Sequence, residues 1–200
     1  MDTAEWAGRI WAATAAQVVS RDEREEAQWI ARARTGDQAA YRWLLERYRA
    51  RVVRLAAHVL RREGEAEDVA QEAFLRAFGQ LSRFRNAGRF APWLFRIVVR
   101  LCLDRLRLSR WDAEISDIDA QPISPHNDHD IDTRLLVETL LDQLSPPMRA
   151  ALTLRELEGL DYDEIAQALQ IPVGTVRSRL NAARAQFRRL WIAAQEDPHV

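Results

Sequence analysis

The residues best equipped for chemistry in this chain are arginines set among aromatic or small polar side chains. In Ser82-Arg83-Phe84-Arg85-Asn86-Ala87-Gly88-Arg89-Phe90, arginine alternates with phenylalanine. Guanidinium groups beside a nucleic-acid backbone, with aromatic faces for unstacked bases, are the chemistry of single-strand capture. Phe84 and Phe90 could equally anchor the loop in a core. A second set, Thr175, Arg177, Ser178, Arg179, Asn181 and Arg184, lies in a stretch with five arginines and no carboxylate between Val173 and Ile192. Small or hydrogen-bonding side chains near a helix N-terminus, with arginines on the flanks, suit a duplex major groove. A helical hairpin with a solvated arginine-rich face would read similarly. The third set is Glu67, Asp68, Gln71 and Glu72. Carboxylates in a first helical turn complement the helix dipole, a purely structural explanation. Asp68 and Glu72, four apart, could also act as an acid/base couple or metal ligands. No glycine-rich phosphate loop, nucleophile motif or histidine partner supports that, so neither an enzyme nor a cofactor is expected.

The elements that must position these groups read as helices. Asp161 with Glu164 three residues on forms a capping-box start for a short helix in which Ile165, Ala166 and Leu169 share a face. Pro172 breaks it and pushes Ile171 toward an extended conformation. A second helix follows, with Val176, Leu180, Ala183, Phe187 and Leu190 in an apolar stripe, Thr175, Ser178, Ala182 and Ala185 opposite, and Arg177, Asn181, Arg184 and Arg188 on a flank. The pair reads as a helix-turn-helix. Earlier, Glu23 to Arg34 is a helix ended at Gly36. Asp37 caps a long helix to Leu60, with Tyr41, Leu44, Leu45, Tyr48, Val52, Leu55, Ala56 and Val59 on one face. The segment Arg61 to Gly64 closes it. Glu65 to about Leu81 turns Val69, Ala73, Phe74, Ala77 and Leu81 inward. Pro92 opens a helix from Trp93 to about Leu106, with Trp93, Leu94, Ile97, Val98, Leu101 and Leu106 apolar and Arg96, Arg100, Arg105 and Arg107 polar.

Composition bounds what these helices can build. A chain of 200 residues, 48% hydrophobic, can bury one core or make two small domains. The net charge of -1 hides a segregation: nine arginines against Asp104 alone from Arg76 to Arg110, then seven carboxylates and no arginine from Asp112 to Asp132. All 29 basic residues are arginine, which suits bidentate phosphate contacts but equally reflects a GC-rich coding bias. The single Cys102 excludes an internal disulfide and fits a reducing compartment; on a helical apolar face it reads as core. His58, His126, His129 and His199 have no metal-ligand spacing, and no metal is expected. Residues 1–22 read as an N-terminal extension without the basic start of a signal peptide or the length of a membrane span, and a cytoplasmic protein is expected. Trp111 to Ile131, with Pro122 and Pro125, lacks helical periodicity and reads as a flexible acidic tether. Its charge could mimic nucleic acid, fold back on the basic faces, or merely be solvated.

These motifs carry a resemblance. The run Glu67 to Phe78, then Phe84-Arg85, then Phe90-Ala91-Pro92-Trp93-Leu94-Phe95-Arg96-Ile97, with Leu101-Cys102-Leu103-Asp104, resembles region 2 of the extracytoplasmic-function sigma factors of bacterial RNA polymerase. Asp161 to Trp191, with Leu144-Ser145-Pro146-Pro147 ahead of it, resembles region 4 of that family. The resemblance implies an all-α fold of two small helical domains: region 2 over 23–110, a tether over 111–132, region 4 over 133–192 and a tail over 193–200. It implies that Asp68, Gln71 and Glu72 dock on the beta-prime coiled coil of core polymerase. Arg83, Phe84, Arg85, Asn86, Arg89 and Phe90, helped by Arg96 and Arg100, would capture the non-template strand at the −10 element. Thr175, Arg177, Ser178, Arg179, Asn181 and Arg184 would read the −35 duplex while region 4 binds the beta flap. The sequence departs from the family at Val99-Arg100, often Arg-Asn, and at Ala182, often arginine. An anti-sigma partner, in some cases membrane-tethered, is implied as well, and no small-molecule substrate. A helix-turn-helix regulator that does not melt DNA shares the second motif but not the arginine-phenylalanine loop.

Overall fold

The computed structural model describes residues 22–84, 89–115 and 129–196. Among them the chain is all-α, without strands: α1 (22–34), α2 (Gln38–Leu60), α3 (Glu63–Gln80), a 3-10 turn (Leu81–Arg83), α4 (Phe90–Ile115), α5 (His129–Asp142), α6 (Pro146–Glu156), α7 (Tyr162–Leu169) and α8 (Val173–Glu196). None of the described helices is long and apolar enough to cross a membrane. The expected N-terminal extension to residue 21 and the end of the tail lie outside the described residues, as does the tether from 116 to 128. Helices enter the expected tether stretch from both ends. α4 runs on to Ile115 and α5 begins at His129. Helix propagation adds a hydrogen bond per residue, so a helix outruns its apolar stripe until something stops it.

The described residues fall into two compact units, 22–48 with 78–84, and 49–77 with 89–115 and 129–196. In the first, Gly36 at φ +86° ends α1, and its N–H bonds the Ala33 carbonyl at 3.0 Å. Asp37 then caps α2 as expected, accepting from the Ala39 and Ala40 amides at 2.9 and 3.3 Å. A hydrogen bond from Arg32 holds the Asp37 carboxyl below its ordinary range. Ile30, Ala33, Ala40, Leu44, Leu81 and Phe84 are buried, and Trp29 stacks on Trp43 at 5.5 Å. Leu45 is the exception to the expected face, at the helix's edge and exposed.

In the second unit Val52, Leu55, Ala56 and Val59 of α2, Val69, Ala73 and Phe74 of α3, and Leu94, Val98, Leu101 and Cys102 of α4 are buried at the predicted spacings. Arg49 reaches both oxygens of Glu67 at 2.9 Å, tying α2 to α3. Burial pushes the Cys102 thiol up to about 12. Native protein should therefore resist iodoacetamide at pH 8 and label only on unfolding; labelling at the rate of a free thiol would contradict this burial. α6, α7 and α8 pack on one another, α5 on α8, and α4 on both α6 and α7.

Candidate nucleic-acid interface

The α7–α8 turn is built by local chemistry. Asp161 accepts from the Glu164 amide at 2.8 Å while Glu164 accepts from the Asp161 amide at 2.9 Å, the reciprocal box the sequence predicts. Gln170 ends α7 in a left-handed conformation at φ 54°, and Ile171 N–H bonds back to the Ala166 carbonyl. α8 then buries Val176, Leu180 and Ala183, while Phe187 and Leu190 remain half-buried. On α7 the inward residues are Ile165 and Ala168, with Ala166 and Leu169 only partly covered.

Of the residues expected to read a duplex, Arg177, Ser178, Asn181 and Arg184 are exposed, and Thr175 and Arg179 half-exposed. The Ser178 hydroxyl donates to the Thr175 carbonyl at 3.0 Å. Arg184 is tied to Glu156 of α6 at 2.7 Å, which keeps its guanidinium more firmly protonated. These side chains leave α8 on its solvent side, a surface that can donate hydrogen bonds and neutralise phosphates.

The arginine-phenylalanine loop needs a correction. Phe84 and Phe90 are 5% and 1% exposed, so neither offers a face to a base. Phe90 packs its ring against Trp93 at 5.5 Å. A ring that can reach a core gains more from burial than from waiting at the surface. Arg83 in the first unit is exposed; in the second, Arg89 and Arg100 are exposed and Arg96 half-buried. Arg85 and Asn86 lie outside the described residues. Arg96, Arg100 and Arg107 of α4 line a cleft of about 370 Å³ whose other wall is Ala168 and Leu169 of α7 with Gln170, the residue that follows it.

Asp68 and Gln71 stand exposed on α3, whereas Glu72 is half-buried between Arg76 and Arg105, at 2.5 and 3.3 Å. Leu75 on the same helix is 67% exposed. Sequence reasoning passed over Glu158 and Arg149, both buried and paired with residues about a hundred positions away. No local spacing marks such pairs. Among the described residues, no group of His, Cys, Asp and Glu could hold a metal ion.

A capped helix-turn-helix with exposed arginines, carried on an all-helical frame, defines a DNA-binding protein. Residues 44–112 match Sigma-70 region 2 and residues 134–187 match Sigma-70, region 4. The chain is 34% identical over 176 residues to the RNA polymerase sigma-H factor of Pseudomonas aeruginosa, covering 81% of this chain and 91% of that one. It is 36% identical over 169 residues to the ECF RNA polymerase sigma-E factor of Escherichia coli strain K12, covering 78% and 88%. Among solved structures, CnrH in complex with the cytosolic domain of CnrY superposes with a TM-score of 0.62 at 25% identity, covering 82% of this chain and 96% of that one. The chain belongs to the extracytoplasmic-function sigma factors of bacterial RNA polymerase. It is a sigma factor, which with core polymerase directs transcription initiation at specific promoters.

Proposed function

We propose that α8 reads the −35 duplex with Thr175, Arg177, Ser178, Arg179, Asn181 and Arg184, and that Arg83, Arg89, Arg96 and Arg100, with Arg85 and Asn86, hold the melted −10 strand. In this reading Asp68, Gln71 and Glu72 dock on the beta-prime coiled coil, and the helix-turn-helix region binds the beta flap. Residues 23–110 and 133–192 act as the two functional modules, and the acidic stretch between them as their tether. The chain works in the cytoplasm, without catalysis of its own, and is restrained by an anti-sigma factor, as CnrH is bound by the cytosolic domain of CnrY. The observation that carries the duplex reading is the solvent side of α8. Val176, Leu180 and Ala183 seat the helix, and that leaves Arg177, Ser178 and Asn181 outward at its N-terminal end.

Sequencing the transcripts made by purified core enzyme plus this chain on genomic DNA tests the whole reading. Initiation sites sharing an upstream and a −10 motif support it; core-level transcription rejects it. On a promoter found that way, Arg177→Ala should weaken binding of the holoenzyme about 5- to 150-fold, the range of about 1–3 kcal/mol for a base-contacting arginine. The loss should be concentrated at one −35 position. Arg188→Ala, on the phosphate-facing flank, should weaken all promoters alike and lower the salt slope by about one. Equal losses on scrambled −35 sequence for Arg177→Ala would remove it from base readout.

A further inference from the structure

We propose that the stacked pair Trp29 and Trp43 is the centre of a docking face on the α1–α2 hairpin, and that its occupant is this chain's own segment 4–19, folded back as an antiparallel helix. None of these residues is among the polymerase or DNA contacts assigned above.

Partners fall back along α2 as numbers rise along α1, so the two helices are antiparallel: Asp22 meets Arg47 at 3.1 Å, Trp29 meets Trp43 at 5.5 Å and Arg32 meets Asp37 at 2.7 Å. The two indole planes lie 14° apart. Arg32 stands over the Trp29 ring at 4.3 Å and Arg47 over the Trp43 ring at 5.2 Å. The ring faces are thus occupied by each other and by the two guanidiniums, and the edges are left. Ala33, Ala40 and Leu44 are 0% exposed, yet both indoles stop half-buried at the surface. Two large apolar rings side by side in water gain from a cover. Their edges carry the positive end of the ring quadrupole, so they suit the face of another aromatic ring.

The chain before α1 supplies one. Asp22 opens α1 beside Arg47, so the preceding residues reach the α1–α2 hairpin at one end of this same face. At helical spacing Ala4, Ala7, Gly8, Trp11, Ala15 and Val18 share one side, with Asp2, Glu5, Arg9 and Ser20 opposite. A reversal at Ser20 and Arg21 puts Trp11 and Ile30 level, each about 14 Å along its helix from the bend. Trp11 then lies beside Trp29, and the small residues around it let a helix approach two bulky rings closely. The same register brings Asp2 and Glu5 to the end of the hairpin where Arg34 and Arg42 are exposed, opposite charge to opposite charge. An attached segment needs little affinity of its own. A short tether supplies an effective concentration of about 1 mM, so a contact with a Kd of about 0.1 mM is filled about nine-tenths of the time.

The test uses the full chain labelled with nitrogen-15 and reads the indole N–H signals of its seven tryptophans, each assigned by a Trp→Phe replacement. Trp11→Ala leaves every described helix with its own residues. The expected result is that the Trp29 and Trp43 signals move while those of Trp93 and Trp191 stay, and that deleting residues 2–19 moves the same two further in the same direction. Amide exchange within 4–19 should become about tenfold faster in Trp11→Ala, the loss of a contact filled about nine-tenths of the time. Trp11→Phe, which keeps an aromatic face, should retain most of that protection. Trp29 and Trp43 signals that ignore the deletion overturn the docking. A shift of all seven alike also overturns it, because the segment then supports the fold at large rather than this pair. If dilution of the parent moves the two signals as the deletion does, while sedimentation shows dimer passing to monomer, the occupant is a second copy and docking within one chain is overturned.

Discussion

Replacing Arg149 by alanine should lower the melting temperature by about 6–12 °C, from a loss of about 3 kcal/mol in the unit that holds it. Arg149 is 5% exposed, at the start of α6. Its Nη2 donates to the Val59 carbonyl at 2.9 Å, and its Nη1 to the Leu141 carbonyl and to Asp142 Oδ1, both at 3.3 Å. Val59 and Leu141 lie in the last turns of α2 and α5, whose carbonyls lack helical partners and carry the negative end of each dipole. One guanidinium thus caps two helix ends from a third helix. Arg61 pairs with Asp142 and Glu138 beside it, and it opposes Arg149 electrostatically. Burial lowers the Arg149 pKa, and its Nε has no hydrogen-bond partner, so the group is held at a cost. Arg149→Met fills the space without burying a charge and should lose only about 1 kcal/mol. A thermal melt followed by circular dichroism separates the two. Equal losses for alanine and methionine would mean that the charge and its caps carry the whole effect, and no loss for alanine would dismiss the clamp.

Phe90→Ala should cost about 3–5 kcal/mol in a denaturant melt, the range for truncating a buried aromatic ring, because Phe90 is 1% exposed. Arg89→Ala beside it should stay within about 0.5 kcal/mol, since its side chain is 67% exposed. Transcription should fall in both variants for different reasons. With Arg89→Ala, folding is intact, and open-complex formation is weaker and less salt-sensitive, its salt slope lowered by about one. With Phe90→Ala, the loss should shrink as temperature is lowered and the folded fraction recovers. A Phe90→Ala protein as stable as the parent but unable to open promoters would return that ring to the base-stacking role the structure denies it.

These two residues show where reading the chain in one dimension stops. The alternation of arginine with phenylalanine announces a loop of mixed character, and both readings of its rings satisfied the spacing. Which way a ring points depends on whether helices distant in sequence leave it a place, and here they do for Phe84 and Phe90. The same holds for α4. Its apolar stripe ends near Leu106, yet the helix continues to Ile115, with no proline or glycine to interrupt the hydrogen-bond ladder.

What the amino-acid order determines by itself is therefore the short-range physics. The 3.6-residue stripes of α2, α3 and α8, the Asp37 cap, the Asp161–Glu164 box and the break at Pro172 each depend on residues a few positions apart. Those same stretches carry the family resemblance that the comparisons confirm. Tertiary structure alone decided that Glu158 sits between Arg51 and Arg54, that Arg149 closes the ends of α2 and α5, and that Arg89 faces Glu164. An ion pair across a hundred residues leaves no periodicity in the chain. It exists only because packing removes a charge from water and must supply its counterion from whatever helix is adjacent.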